Sequence, residues 1–223
     1  MEYLRSVSRC ALLVAVLVLT LTPAKAQSSM PCSDGHWTPE PVQQVESGSA
    51  INPTFHAVYG LLCGNTIYMI RMSNVVVSNG KAEIITDVIS KALVPCDKGG
   101  AWSPHPVQKA QAGGPSDPTF HTVYGLLCGN TIYMIRMSNV VVSNGKSELV
   151  TDILGTTSIP CNQLGTWSPE PAQRAELGGP TNPSFHTVYG LSCGDKVLMI
   201  RFSNVISVQP VIRVDILAQG TLD

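Results

Sequence analysis

One block of this chain occurs twice without a change and a third time with changes. That repetition constrains the fold more than any local motif does. Val58–Lys81 and Val123–Lys146 both read VYGLLCGNTIYMIRMSNVVVSNGK, and Val188–Pro210 reads VYGLSCGDKVLMIRFSNVISVQP. The three copies begin 65 residues apart and fill nearly everything after residue 30. A fixed period of this size marks one supersecondary unit used several times over. The expected organisation is repeat 1 at 31–94, repeat 2 at 95–159 and repeat 3 at 160–223.

Residues 1–26 read as a secretory signal. Arg5 and Arg9 precede the apolar run 11–21, and Ala24-Lys25-Ala26 has the small-x-small form of a cleavage site. Such a run is too short to span a bilayer. A four-residue segment, 27–30, then leads into the first repeat. The expected location is secreted and extracellular, with no membrane insertion. Loss of three basic residues and one acidic residue moves the formal charge from −1 to −3. Lys and Arg are scattered singly, so there is no basic stripe to neutralise phosphates and no nucleic-acid partner is expected.

Cys10 falls in the signal, which leaves six cysteines at two per repeat: Cys32 and Cys63, Cys96 and Cys128, Cys161 and Cys193. An even count behind a signal peptide implies disulfides. The repeat reduces fifteen pairings to two symmetric ones. Either each repeat closes on itself, or each is clipped to the next with Cys32 meeting Cys193. Closure within the repeat is favoured, at roughly 3.5–4 kcal/mol for each loop in the chain-entropy picture.

Within each repeat, Pro-Cys is followed by Trp-Ser/Thr-Pro-x-Pro (Trp37, Trp102, Trp167), whose two prolines hold an extended path that only an edge or strap accepts. A polar Gly/Pro stretch follows and reads as a surface loop. Strands are expected at 54–62, 66–72, 75–78 and 81–90, with a turn at Cys63-Gly64-Asn65 and an Asn79-Gly80 hairpin. The segment 41–46 is the one candidate for a helical turn. The expected fold is all-β, with three repeats of about four strands each. A closed pseudo-threefold unit, β-trefoil- or β-prism-like, is preferred to three tandem modules because no flexible spacer separates the repeats.

Several side chains recur in all three copies. Trp37, Trp102 and Trp167, with Tyr59, Tyr124 and Tyr189, form the best candidate ligand platform, since flat aromatics stack on sugar rings and anchor interfaces. His56, His121 and His186 would meet on the axis of a closed threefold fold, where three imidazoles suit zinc. Packing is the stronger reading for these histidines, and no metal or cofactor is expected. Arg71, Arg136 and Arg201 lie in apolar strands, and Asp87, Asp152 and Asp215 recur in the next strand, which implies cross-strand ion pairs.

No nucleophile elbow, metalloprotease motif or phosphate loop occurs, so no catalysis is expected. Linked copies favour binding, where avidity gains are of order 10²–10⁴. The leading expectation is a secreted, multivalent, lectin-like protein that recognises extracellular glycan or protein surfaces. The alternatives are an extracellular structural or matrix protein that assembles through its β-repeats, and a protease inhibitor.

Overall fold

The computed structural model describes residues 31–49, 51–76, 82–97, 99–141, 147–161, 165–205 and 211–221. The expected signal (1–26) and the Asn79-Gly80 hairpin turn lie outside them. The described chain is all-β and forms three sheets, one per repeat. In the first, β1 (His36–Trp37) and β2 (Gln43–Ser49) both pair with β3 (Asn52–Cys63), β3 with β4 (Thr66–Val76), and β4 with β5 (Ala82–Leu93). The second sheet uses β6 (Ala101–Trp102), β7 (Gln108–Ala112), β8 (Thr119–Cys128), β9 (Thr131–Val141) and β10 (Ser147–Ser158) in the same order. The third uses β11 (Thr166–Trp167), β12 (Gln173–Leu177), β13 (Ser184–Cys193), β14 (Lys196–Val205) and β15 (Val211–Thr221).

Two local expectations need correction. Residues 66–76 make one continuous strand rather than two, because β4 pairs with β5 through to Val76↔Ala82. The segment 41–46 is not a helical turn. Its backbone runs into β2, paired with β3 from Gln43↔Val58 to Ser49↔Asn52, and those ladder bonds replace helical ones. The Trp-Ser/Thr-Pro-x-Pro segment is an edge, as its prolines require. Its Ser/Thr and the glycine of Val-Tyr-Gly satisfy each other. Thr38 N donates to Gly60 O at 2.9 Å, and Gly60 N donates to Thr38 Oγ1 at 3.1 Å. Ser103 with Gly125 and Ser168 with Gly190 repeat this exchange. Asn74, Asn139 and Asn204 each donate to a proline carbonyl at the start of the repeat's central strand, Pro53, Pro118 and Pro183.

The disulfides close within repeats: Cys32–Cys63, Cys96–Cys128 and Cys161–Cys193. Each ties the lead-in of a repeat to the far end of its central strand. The edge strands β5, β10 and β15 all carry an irregularity at the same place, opposite Met69/Ile70, Met134/Ile135 and Met199/Ile200. A bulge there twists an edge away from indiscriminate pairing.

None of the three sheets closes, and their arrangement departs from a trefoil or prism. Strand alternation gives each sheet a front face (Phe55, Ala57, Tyr59 and Leu61 in β3) and a rear face (His56, Val58, Gly60 and Leu62). The rear of the first sheet packs on the front of the second, joining Val58, Leu62 and Met69 with Tyr124, Leu126 and Met137. The rear of the second packs likewise on the front of the third, joining Val123, Leu127 and Met134 with Tyr189, Leu191 and Phe202. The middle strand β8 is therefore buried at every position after Thr119, which requires cover on both faces. In a prism each sheet would turn only one face inward and would alternate between buried and exposed. The molecule is an open three-layer stack.

Candidate functional site

The six aromatic candidates sit on the front faces. Each Trp meets the Tyr of its own repeat edge to face: Trp37–Tyr59 at 6.1 Å, Trp102–Tyr124 at 5.9 Å and Trp167–Tyr189 at 6.0 Å between ring centres. Edge-to-face geometry is favoured by the ring quadrupoles. Trp102, Tyr124, Trp167 and Tyr189 are enclosed by the preceding sheet, the tyrosines at 0% exposure and the tryptophans at 7%. Among the described residues no sheet covers Trp37 and Tyr59, which are only partly buried. The structure thus separates the six into four interface residues and one accessible pair.

The enclosed four make specific hydrogen bonds backward across the layers. Trp102 Nε1 donates to His36 O at 2.9 Å, and Trp167 Nε1 to Ala101 O at 3.1 Å. Tyr124 OH donates to Glu40 O at 2.9 Å, and Tyr189 OH to His105 O at 3.1 Å. Burial, as the larger cause, raises both phenols above the usual tyrosine range, Tyr189 to about 12. Thr122 Oγ1 donates to Val42 O, and Thr187 Oγ1 to Val107 O at 2.5 Å. Every donor–acceptor pair of the second junction is a pair of the first advanced by one repeat. One docking operation is used twice.

Shape follows the same rule. A Cβ on Gly60 would lie 2.8 Å from Met137 Sδ, and one on Gly125 would lie 2.6 Å from Phe202 Cζ. These glycines are holes in the rear faces, filled by a knob from the next front face. At Gly190 the nearest atom is Ser168 Cβ of the same sheet, at 3.3 Å, and no knob enters. Spacing alone does not reveal this pairing of glycine with Met or Phe. The signal available is that Gly60, Gly125 and Gly190 persist on strands, where glycine weakens packing unless something approaches closely.

The histidines do not converge. His56, His121 and His186 occupy equivalent rear positions on three successive layers, so the axial zinc site expected for a closed fold has no geometric basis here. Among the described residues no group of three or more His, Cys, Asp or Glu could hold a metal ion. His121 is 6% exposed, and its Nε2 finds no hydrogen-bond partner among the described residues. Burial first, then the Arg136 charge, lowers its pKa to about 4. His56 is lowered in the same way, by burial and then by Arg71.

The arginines are paired. Arg71 donates to both carboxylate oxygens of Asp87 at 2.9 and 2.6 Å, and Arg136 to those of Asp152 at 2.8 and 2.5 Å. Arg201 makes the same fork with Asp215. Each pair faces across adjacent strands in register, so these guanidiniums stabilise the sheets and have their fork donors engaged.

A second cluster is one that the sequence reading missed. The variable residue of the three Pro-x-Pro segments is Glu40, His105 and Glu170. Stacking brings the three into line: His105 Nδ1 contacts Glu40, and His105 Nε2 lies 3.1 Å from Glu170 Oε1. Both ring nitrogens thus face carboxylates and both must donate. The Glu40 hydrogen bond, with further help from Glu170, holds the imidazole above its ordinary pKa against partial burial. The alternation Glu/His/Glu is visible in the sequence, but its meaning requires the stack.

No helix among the described residues is long and apolar enough to cross a membrane. The three disulfides are consistent with a secreted or extracellular protein. No protein-family model, curated protein or solved structure matches the chain.

Proposed function

We propose that this chain is an extracellular structural protein that assembles through its β-repeats. One observation carries the reading. The molecule is joined internally by a single front-to-rear docking operation used twice, and such an operation leaves an unsatisfied front at one end and an unsatisfied rear at the other. The paired charges, interlocked aromatics and disulfides all serve rigidity, and none forms a catalytic constellation. Sedimentation velocity of the mature chain, with no ligand added, is the test. Mean mass that rises with concentration supports the reading. A monomer persisting to about millimolar concentration, well above the affinity range of specific interfaces, sinks it.

A second reading is surface recognition of glycan or protein, favoured by the partial exposure of Trp37 and Tyr59. Among the described residues only the first sheet offers such a pair, so on this reading the Trp–Tyr contact with a ligand is single and not threefold. A glycan array on which Trp37→Ala binds as well as the unaltered protein, or on which neither binds, contradicts it.

A further inference from the structure

Assembly through the repeats, the reading on which this inference rests, requires a specific contact and a specific partner. The front of the first sheet is one half of an interface that the molecule completes twice internally. Trp37, Tyr59, Tyr68 and Met72 are the same residue types as Trp102, Tyr124, Tyr133 and Met137 at equivalent positions. In the second sheet these four are buried, with Met137 at 0%, whereas in the first all four are partly exposed. Val88 on the adjoining strand is 39% exposed.

The rear of the third sheet is the other half. Met199 is 42% exposed, although its equivalents Met69 and Met134 are at 0%. Leu217 is 43% exposed, whereas its equivalents Ile89 and Leu154 pack against the two cores. No side chain from another sheet enters at Gly190, where a Cβ would meet only Ser168 of its own sheet. The acceptors are present too. His105 O takes hydrogen bonds from both Ser103 Oγ and Tyr189 OH. Its equivalent, Glu170 O, takes the bond from Ser168 Oγ and keeps room for a tyrosine hydroxyl.

We infer that the partner is a second copy of this chain, docked head to tail. The front of its first sheet covers the rear of the third sheet, Met72 enters above Gly190, Trp37 Nε1 donates to Thr166 O, and Tyr59 OH donates to Glu170 O. Each contact is an internal one advanced by one repeat. Two front faces do not fit each other this way, because both carry knobs and neither carries a glycine hole. The head-to-tail junction is heterologous: each addition uses one end and presents a new one, so growth continues past the dimer, into an open filament unless the rotation closes a ring.

Four differences make this junction weaker than the internal ones. Ala57 stands where Thr122 and Thr187 supply a hydroxyl, so the Ala172 carbonyl gains no donor. Ser192 replaces Leu62 and Leu127, and Ala172 replaces Val42 and Val107, which thins the apolar rear. Glu170 would also meet Glu40 of the next copy with no imidazole between them, a like-charge contact that opposes docking. The junction is therefore reversible and concentration-dependent.

The test is sedimentation velocity of the mature chain and of end-blocked variants, with thermal melting to confirm folding. Met72→Glu blocks the front, and Gly190→Leu or Ser192→Glu blocks the rear; all three positions are partly exposed. The unaltered protein should grow past dimers as concentration rises. Each variant alone should associate about tenfold or more weakly, as loss of a central contact implies. An equimolar mixture of Met72→Glu with a rear variant should form one-to-one dimers and stop, because one good front and one good rear remain. Glu170→Gln should tighten growth. Association unchanged in all end variants would place assembly at the sheet edges, overturning this junction while leaving the assembly reading intact. An unaltered protein that stops at dimers would also overturn it, in favour of a symmetric front-to-front contact. A protein monomeric at all concentrations would sink both.

Discussion

The rear faces of the second and third sheets are built on equivalent strands, yet they differ at the positions that touch a neighbour. On the second sheet Val107, Leu127, Ile132 and Met134 are all at 0–1% exposure under the third sheet. On the third, the corresponding residues are Ala172, Ser192, Val197 and Met199, smaller or more polar at three of the four positions and all at least partly exposed. What the two faces share is equally informative. The histidine, the valine of Val-Tyr-Gly, its glycine and the Arg–Asp pair persist on both. The histidine and the Arg–Asp pair belong to the sheet itself, the valine and glycine belong to the contact, and the residues that changed thin that contact. The third sheet keeps its own framework while offering a thinner apolar rear face than the second sheet does.

Breaking the comparison most strongly should be removal of a knob. Phe202→Ala empties the contact over Gly125 and should cost about 3–5 kcal/mol. Met72→Ala, the equivalent change at the open front, should cost less than about 1 kcal/mol. Urea unfolding of both variants reads the difference. Next is the filling of a hole. Gly125→Leu drives a side chain into the Phe202 ring and should cost about 1–3 kcal/mol or more. Gly190→Leu meets only Ser168 and should stay within about 1 kcal/mol of the unaltered protein. Equal losses at the two glycines would mean that the third rear face is covered after all.

Smaller still is the tyrosine hydroxyl. Tyr124→Phe leaves the Glu40 carbonyl without its cross-layer donor and should lose about 1 kcal/mol, while Tyr59→Phe should lose almost nothing in the monomer. The smallest effect is that of pH. His105 has a folded pKa raised above 6.5, so its contribution is complete below that value and fades as pH rises through the raised one. His121, lowered to about 4, acts in the opposite sense: its contribution is complete above 6.5 and is lost as pH falls toward 4. His105→Gln should therefore lower the melting temperature more near pH ~5.5 than near pH ~9. An equal shift at both pH values would remove any stabilising role for the Glu40–His105–Glu170 ladder.

Much of the repeat itself was legible in the sequence. Apolar alternation, the Cys-Gly-Asn turn, the prolines and the cysteine spacing act within one repeat, and each has a local physical cause. The strands, the intra-repeat disulfides and the Arg–Asp pairs follow from them. Relations between repeats were not legible. Identical copies satisfy a closed threefold ring and an open stack equally well, since both need three similar units. What decides is the burial of both faces of β8, and the unequal drift agrees with it: Ala57 against Thr122 and Thr187, and Ser192 against Leu62 and Leu127. A closed ring gives all three repeats the same surroundings and no reason for such differences. Trp102, Tyr124, Trp167 and Tyr189 suited a ligand platform for the same reason that they suit an interface. Flat, amphipathic rings serve both, and only burial separates the uses.

The open order of the layers is the central claim, and distances between equivalent turn residues test it directly. Asn65, Asn130 and Asp195 are exposed at the same turn of each repeat. Spin labels at these sites, taken two at a time, report three separations by electron paramagnetic resonance. Face-packed sheets lie about 10 Å apart, so the open stack predicts a first-to-third separation about twice each of the other two. Three equal separations would contradict it and restore a closed threefold ring.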